Sequence, residues 1–422
     1  MRTSTNIVRL RQPEEIDDPL TDVLRSGARR LLAQAVELEA EAFLAGMREL
    51  KLPDGRDRLV RHGHGPERMI QTGIGPVAVS RVKIRDRGAA SAQDRVRFSS
   101  AILPRWARRT RSLDALLPVL YLRGVSTGDF QEALAALLGR DAPNLSPSVV
   151  TRLTAEWQVE YERWQARDLS ARRYVYVWAD GVYLQARMED HCECMLVLIG
   201  ATPEGKKELV GFQVGIRESA QSWRELLVEV KRRGLVIGPE IAVGDGALGF
   251  WKALDELYPS TRHQRCWLHK TANVLNKVPK SVQISMKADL REIHGAPTRA
   301  AADAAIDVFV EKYGAKYARA ADCLTKDSTA LLAFYDFPAE HWDHLRTSNP
   351  IESVFATVRH RTVRTKGSLS PTTARLMVFK LVMAAAKTWR RLKGENQLPK
   401  VVAGVTFTDG TEVIQGSANR AA

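Results

Sequence analysis

Cysteine is scarce in this chain, with four residues (Cys192, Cys194, Cys266 and Cys323) among 422. That is too few for a disulfide framework at this length. Long apolar runs are missing as well. The best stretches, 115–122 and 381–386, fall far short of the roughly 20 residues that a membrane span requires. The opening Met1-Arg2-Thr3-Ser4-Thr5-Asn6 leads into charges, so no secretory signal is read there. Acids are in deficit, 49 against 63 lysines and arginines, for a formal net charge of +14. These absences exclude a disulfide-stapled secreted domain and a membrane protein. They leave a cytoplasmic protein without a membrane partner. A hydrophobic fraction of 45% is that of a globular chain, and the length calls for more than one domain.

The positive charge is not spread evenly. Residues 51–111 hold 15 lysines and arginines against 5 acids, and residues 359–400 hold 11 against 1. Clustering of this kind is expected of surfaces that neutralise phosphates. Within the first cluster Arg105, Arg108, Arg109 and Arg111 surround Trp106, which reads either as a phosphate-contacting segment or as a solvated linker. In the second, Arg361, Arg364 and Lys366 are candidate DNA contacts.

Along the chain the pattern changes several times. Residues 1–111 read as a mostly helical DNA-binding or dimerisation region. It has a helix over Leu20–Leu50 and one basic-faced strand over Val77–Arg87. Residues 112–170 read as three helices, the third opened by Ser146-Pro147, an N-cap followed by proline at the first helical position. The unit fits a helix-turn-helix with Arg152 near the start of a recognition helix, and it fits an ordinary helical bundle or dimer seam equally. The stripe Val150, Leu153, Trp157, Tyr161 and Trp164 is core or interface in either case. From 171 to 279, apolar strands at 174–179, 194–201 and 209–215 are followed by alternating helix and strand. That order describes an α/β core built on a mixed sheet, a ribonuclease H-like arrangement. Residues 280–340 carry no strand signal and read as an all-helical insertion. The core resumes over 341–395, and a tail follows over 396–422.

Three carboxylates stand out. Asp180 and Asp245 each terminate an apolar strand and precede glycine, and Glu352 opens a helix in Ser348-Asn349-Pro350-Ile351-Glu352. An acid at a strand end is held by a rigid sheet while facing a crevice, which suits a metal site, although Asp-Gly is also a turn signal. Glu352 has two readings. With Asn349 as N-cap and Pro350 next, it is the third residue of a capping box. At the edge of the buried stripe Ile351, Val354, Phe355 and Val358, it lies against the sheet as a catalytic acid, with Arg359 on the same side. Two charges about 4 Å apart repel by roughly 4 kcal/mol at an effective dielectric near 20, so clustered acids call for a counter-charge. Mg²⁺, with Mn²⁺ as a substitute, takes oxygen ligands and leaves positions for phosphate and water, and two ions are expected.

These residues, taken together, resemble the Mutator-type transposases of bacterial insertion sequences over nearly the whole chain. Asp245 follows Asp180 by 65 positions and Glu352 follows Asp245 by 107, the second interval holding Cys266-Trp267-Leu268-His269 and the helical segment. Arg61-His62-Gly63, Gly75-Pro76-Val77, Arg85-Asp86-Arg87 and Gly404-Val405-Thr406-Phe407 also match. The resemblance implies that Asp180, Asp245 and Glu352 are catalytic, metal-holding acids and that Arg359 is the basic residue after the glutamate. It further implies that Cys266 and His269 support the site or contact DNA. It implies double-stranded DNA as partner, at element ends and target, and a homo-oligomer that is dimeric on DNA. The expected activity is binding of terminal inverted repeats followed by strand cleavage and strand transfer. The competing expectations are a non-transposing nuclease with the same core and a domesticated DNA-binding protein. Zinc would need two more ligands than Cys266 and His269, and His191, Cys192 and Cys194 are the candidates.

Overall fold

The computed structural model describes residues 19–122, 147–184, 193–215, 217–246, 248–365 and 370–414. Two compact units emerge, Met1–Leu153 and Thr154–Ala422.

In the first unit the long helix α1 (Pro19–Gly46) is followed by four short strands: β1 (Leu59–His64), β2 (Arg68–Thr72), β3 (Gly75–Val79) and β4 (Val82–Asp86). β2 pairs with β3 and β1 with β4, both antiparallel. The region is thus less helical than its sequence led us to expect, and the single strand over 77–87 is two strands with different partners, broken at Ser80-Arg81. β1 and β2 escape the sequence reading because arginine, histidine and glutamine occupy positions where strand-forming residues would have signalled them. The core is small. Val36 and Ala40 of α1 meet Ile70, Val77, Val79, Val82 and Leu103. Polar contacts supplement it. The buried Asp86 carboxylate accepts from Arg58 Nε (2.9 Å) and Nη2 (3.0 Å) and from the amides of Gly88 and Val96 (2.9 Å each), tying the segment after β4 to its own strand.

Helices α2 (Arg111–Leu122) and α3 (Pro147–Gln165) follow. The middle helix expected between them falls on residues 123–146, outside the described residues. The boundary between the units falls within α3.

The second unit is a mixed five-stranded sheet in the order β7-β6-β5-β8-β9, formed by β5 (Tyr176–Leu184), β6 (Glu193–Ala201), β7 (Lys207–Gly215), β8 (Ile241–Gly244) and β9 (Arg262–Arg265). β5, β6 and β7 are antiparallel, while β5, β8 and β9 are parallel. A type of turn that needs positive φ joins β6 to β7, and Gly205 supplies it at φ 73°. Helices α4 (Ala220–Arg232) and α5 (Leu248–Leu257) cover one face, where Trp223, Leu226, Phe250 and Leu254 pack on Val177, Ala179, Leu196 and Leu198. Ser219 caps α4 and accepts from the Ser222 amide. On the other face lie α6 (Trp267–Leu275), α10 (Asn349–Thr365) and α11 (Pro371–Ala386), with α7 (Lys280–Gly295), α8 (Arg299–Tyr313) and α9 (Ala318–Thr325) between α6 and α10 in sequence. No strand occurs between residues 280 and 340. Tyr161 and Trp164 of α3 pack on Phe379 of α11, with ring centroids 5.2 and 5.3 Å apart, so that part of the apolar stripe is core. Among the described residues no helix is long and apolar enough to cross a membrane.

Candidate active site

Side chains alternate faces along a strand, and β5 uses this to sort its residues. Val177 and Ala179 enter the apolar layer under α4 and α5. Tyr176, Trp178 and Asp180 share the opposite face. There the Tyr176 hydroxyl lies 2.7 Å from His341 Nδ1, and Trp178 Nε1 donates to the His344 carbonyl (2.9 Å). Asp180 does not end its strand. β5 continues through it to Leu184, with Asp180 opposite Val197 and Gly181 opposite Leu196 of β6. What ends there is the parallel ladder. Ala179 pairs with Gly244, and Gly244 with Arg265. The next residues of the three neighbouring strands are therefore Asp180, Asp245 and Cys266, set side by side where β8 and β9 stop. Strand registry brings together acids 65 positions apart in sequence.

Asp245 sits in a braced loop. Its carbonyl accepts from Trp251 Nε1 (2.8 Å) and Arg265 Nη1 (3.1 Å), and the Cys266 amide donates to the Gly244 carbonyl (2.8 Å). A cavity of about 490 Å³ opens beside it, lined by Arg265, Lys270, Lys277 and Lys326 among others.

Glu352 reaches this end of the sheet from α10. Ile351, Val354, Phe355 and Val358 are all buried, which is the stripe read from the sequence. The helix start is one residue earlier than that reading had it. Ser348, not Asn349, accepts the first intrahelical bonds, from the Ile351 and Glu352 amides (2.9 and 3.1 Å), and Asn349 is exposed. The reason lies in the Ser348 side chain, which is fully buried among groups of the site. Its hydroxyl donates to Glu352 Oε1 (3.0 Å) and lies 3.3 Å from Cys266 Sγ and 3.5 Å from His269 Nδ1. His269 Nε2 is 4.0 Å from Glu352 Oε1. Cys266 and His269 thus connect the end of β9 to the helix that carries the glutamate.

Electrostatics marks the same spot. Burial, with Asp245 and Glu352 adding to it against the pull of His269, pushes the Asp180 carboxyl up to about 6. A fourth acid, unseen in the sequence, joins them. Glu218 precedes α4 and packs so close to Gly181 that a Cβ there would lie 2.6 Å from its Oε1. Burial, then Asp180 and Asp245, raise Glu218 to about 7. Its bond to Cys266, with help from Asp245 and Asp180, raises His269 to about 9 against the cost of burial. Burial raises the Cys266 thiol, but the bonds from His269 and Ser348 outweigh it and lower it overall. The carboxylate oxygens of Asp180, Asp245 and Glu352 are not all within 4.8 Å of one another. The group that meets that spacing among the described residues is Cys266, His269 and Glu352.

The family profile described as Transposase, Mutator family, matches residues 1–391. The chain belongs to that family. Similar proteins include the transposase for insertion sequence element IS6120 of Mycolicibacterium smegmatis, 49% identical over 71% of this chain and 92% of its own length. The transposase for insertion sequence element IST2 of Acidithiobacillus ferrooxidans is 52% identical over 66% of this chain and 95% of its own length. The transposase for insertion sequence element IS256 in transposon Tn4001 of Staphylococcus aureus is 26% identical over 76% and 80%.

The remaining sequence candidates of this transposase divide sharply. Arg359 is exposed on α10, seven residues after Glu352. Arg361 and Arg364 lie on the backbone of the same helix with side chains outside the described residues, as is Lys366 entirely. Arg105, Arg108, Arg111 and Arg152 are exposed and Arg109 is half-buried, all within the first unit. Among the described residues no cluster joins Cys194 to Cys266 and His269. Cys194 is buried in the apolar layer under α4, its thiol pushed up to about 12 by burial, and His191 and Cys192 are outside the described residues. Glu218, Ser348, Lys277 and Lys326 were missed. Only Ser348 had a signal, its place at the head of a proline-started helix.

Proposed function

We propose that this transposase binds the terminal inverted repeats of its insertion sequence and catalyses metal-dependent cleavage and transfer of a DNA strand within a ribonuclease H-like core. The observation that carries the reading is the row formed by Asp180 and Asp245 at the end of the parallel ladder, with Glu352 delivered beside it from α10. The donor set fits hard divalent cations. Oxygen ligands predominate, and Asp180 and its neighbour Glu218 are raised toward neutrality chiefly by burial, with the surrounding carboxylates adding to it. Asp180, Asp245 and Glu352 would hold Mg²⁺ or Mn²⁺, which supplies counter-charge and activation of the attacking and leaving oxygens.

The rest belongs to the chain's own residues. Cys266, His269 and Ser348 fix the rotamer of Glu352 and the start of its helix. Lys277 and Lys326 attract backbone phosphates beside Asp245, and Arg359 holds a phosphate in line on the glutamate's helix. The arginines of the first unit give the salt-sensitive part of DNA affinity. The test is cleavage of DNA carrying the element ends, in Mg²⁺ or Mn²⁺, by Asp180→Asn, Asp245→Asn and Glu352→Gln. Each should lose cleavage while keeping DNA binding. Near-normal cleavage by any one removes that residue from the site.

A further inference from the structure

A turn in the first unit holds a tryptophan out in water. Pro104-Arg105-Trp106-Ala107 closes on the bond from the Ala107 amide to the Pro104 carbonyl (3.0 Å). Both flanks are fixed. Leu103 and Ala107 pack on the small core, the Gln71 amide donates to the Arg108 carbonyl and the Thr110 amide to the Gln71 carbonyl (2.9 Å each), and the Arg68 guanidinium donates to the Arg105 carbonyl. Trp106 at the tip is 82% exposed. Backbone bonds hold it there, and large aromatic side chains are ordinarily well covered in a folded protein.

Beside it runs a cleft of about 640 Å³, whose walls include Arg68, Arg81, Arg105, Arg108, Met69 and Trp106. No carboxylate lines it, and among the described residues no acid pairs with any of these four guanidinium groups. Arg68 Nη2 is buried without a hydrogen-bond partner, and the Arg105 guanidinium lies 5.3 Å from the Trp106 ring centroid. Four unneutralised cations call for a polyanion. The exposed Trp106 and the half-exposed Met69 offer flat and apolar surface for which a phosphate alone has no use. A strand with one free base face meets both demands, since bases stack on aromatic rings while arginines track the backbone. In an intact duplex each base face is covered by its neighbours, so the cleft suits an unpaired strand better than a closed one.

We propose that this cleft holds a short unpaired stretch of DNA, with one base stacked on Trp106 and the adjoining phosphates on Arg68, Arg81 and Arg108. The inference rests on the reading of the chain as a DNA-processing transposase and adds that it grips an opened strand. The experiment measures binding of the full chain, in EDTA, to a labelled oligo-deoxythymidylate and to a blunt duplex. Trp106→Ala should weaken the single strand by about thirtyfold, the middle of the range for one stacked base, and change duplex affinity by less than about twofold. Trp106→Phe should recover most of the loss, and a 2-aminopurine in the strand should be quenched by the wild type and not by Trp106→Ala. Unchanged single-strand affinity in Trp106→Ala, or equal loss on both probes, overturns the proposal. Binding in EDTA does not depend on cleavage, so the two readings fail separately: a dead acid site leaves this result standing, and an indifferent Trp106 leaves the cleavage test untouched.

Discussion

Asp86 in the first unit and Asp180 in the second are both largely withdrawn from water, and their surroundings are opposite. Asp86 accepts two bonds from Arg58 and two from backbone amides, which hold its carboxyl far below the ordinary range. Asp180 accepts one, from the Gly181 amide (2.8 Å), and its carboxyl is held up at about 6 by burial first, with Asp245 and Glu352 adding to it. One charge is neutralised inside the fold, the other is left for something outside it. A buried acid that the fold satisfies is structural, and one that the fold crowds with like charge is a candidate for chemistry.

The largest effect expected from this contrast is on the second acid. Asp180→Asn should abolish cleavage and, in metal-free protein near neutral pH, raise stability by about 3 kcal/mol. A carboxyl whose folded value is raised costs the fold roughly 1.4 kcal/mol per pH unit of that rise when it must ionise. Chemical denaturation of both proteins in EDTA measures it. A destabilised Asp180→Asn would place Asp180 with the structural acids.

Asp86→Asn should do the reverse, costing about 2 kcal/mol by leaving Arg58 unpaired and two amides with a poorer acceptor, with no change in the chemistry once the chain is folded. The pH dependence separates the two acids by sign. The folded-state value of Asp86 is depressed, so its contribution is complete above the ordinary carboxylate value near 4 and is lost as pH falls through the depressed one. Those of Asp180 and Glu218 are raised, so the metal-free second unit gains stability as pH falls from about 7 toward 4. Hydrogen exchange resolved along the chain, at several pH values in EDTA, reads both slopes at once. Parallel slopes would erase the distinction.

How much of this was legible follows the same division. The strand at 174–179 could be read because it is apolar on both faces, as a strand buried under helices must be. Its continuation through Asp180-Gly181 could not, because that dipeptide is a turn signal and only β6, by pairing on, overrides it. Asp180, Asp245 and Glu352 were legible as local oddities, whereas their proximity is a matter of registry that no single segment carries. Glu218 gave no signal, since its importance comes from lying against Gly181 across the sheet. In the first unit, polar strands and a core of a few residues leave little periodicity to read, and the exposed Trp106 looked like part of a basic run.

A smaller effect is expected at Arg359, exposed on the glutamate's own helix. Arg359→Ala should lower strand transfer by about tenfold at saturating DNA, in keeping with the removal of one positioned charge. Wild-type transfer would reduce that helix face to a general electrostatic surface.

The smallest effect tests whether DNA spans both kinds of surface. Arg111 begins α2 in the basic segment of the first unit, and Lys277 and Lys326 line the cavity beside Asp245 in the second, all three exposed. Removing a cation that neutralises one phosphate flattens the slope of log affinity against log salt by about 0.9. Arg111→Ala should do so if the first unit supplies the binding charge, and Lys277→Ala or Lys326→Ala should do so only if the same duplex runs past the acids. Flattening by all three, measured by salt titration without divalent metal, means that recognition and chemistry act on one continuous stretch of DNA. Flattening by Arg111→Ala alone means that the element end is gripped by the first unit and enters the acid site only in a later step. Flattening by the lysines alone would reverse the roles of the two regions, because the unit that crowds its acids would then be the one that holds the backbone.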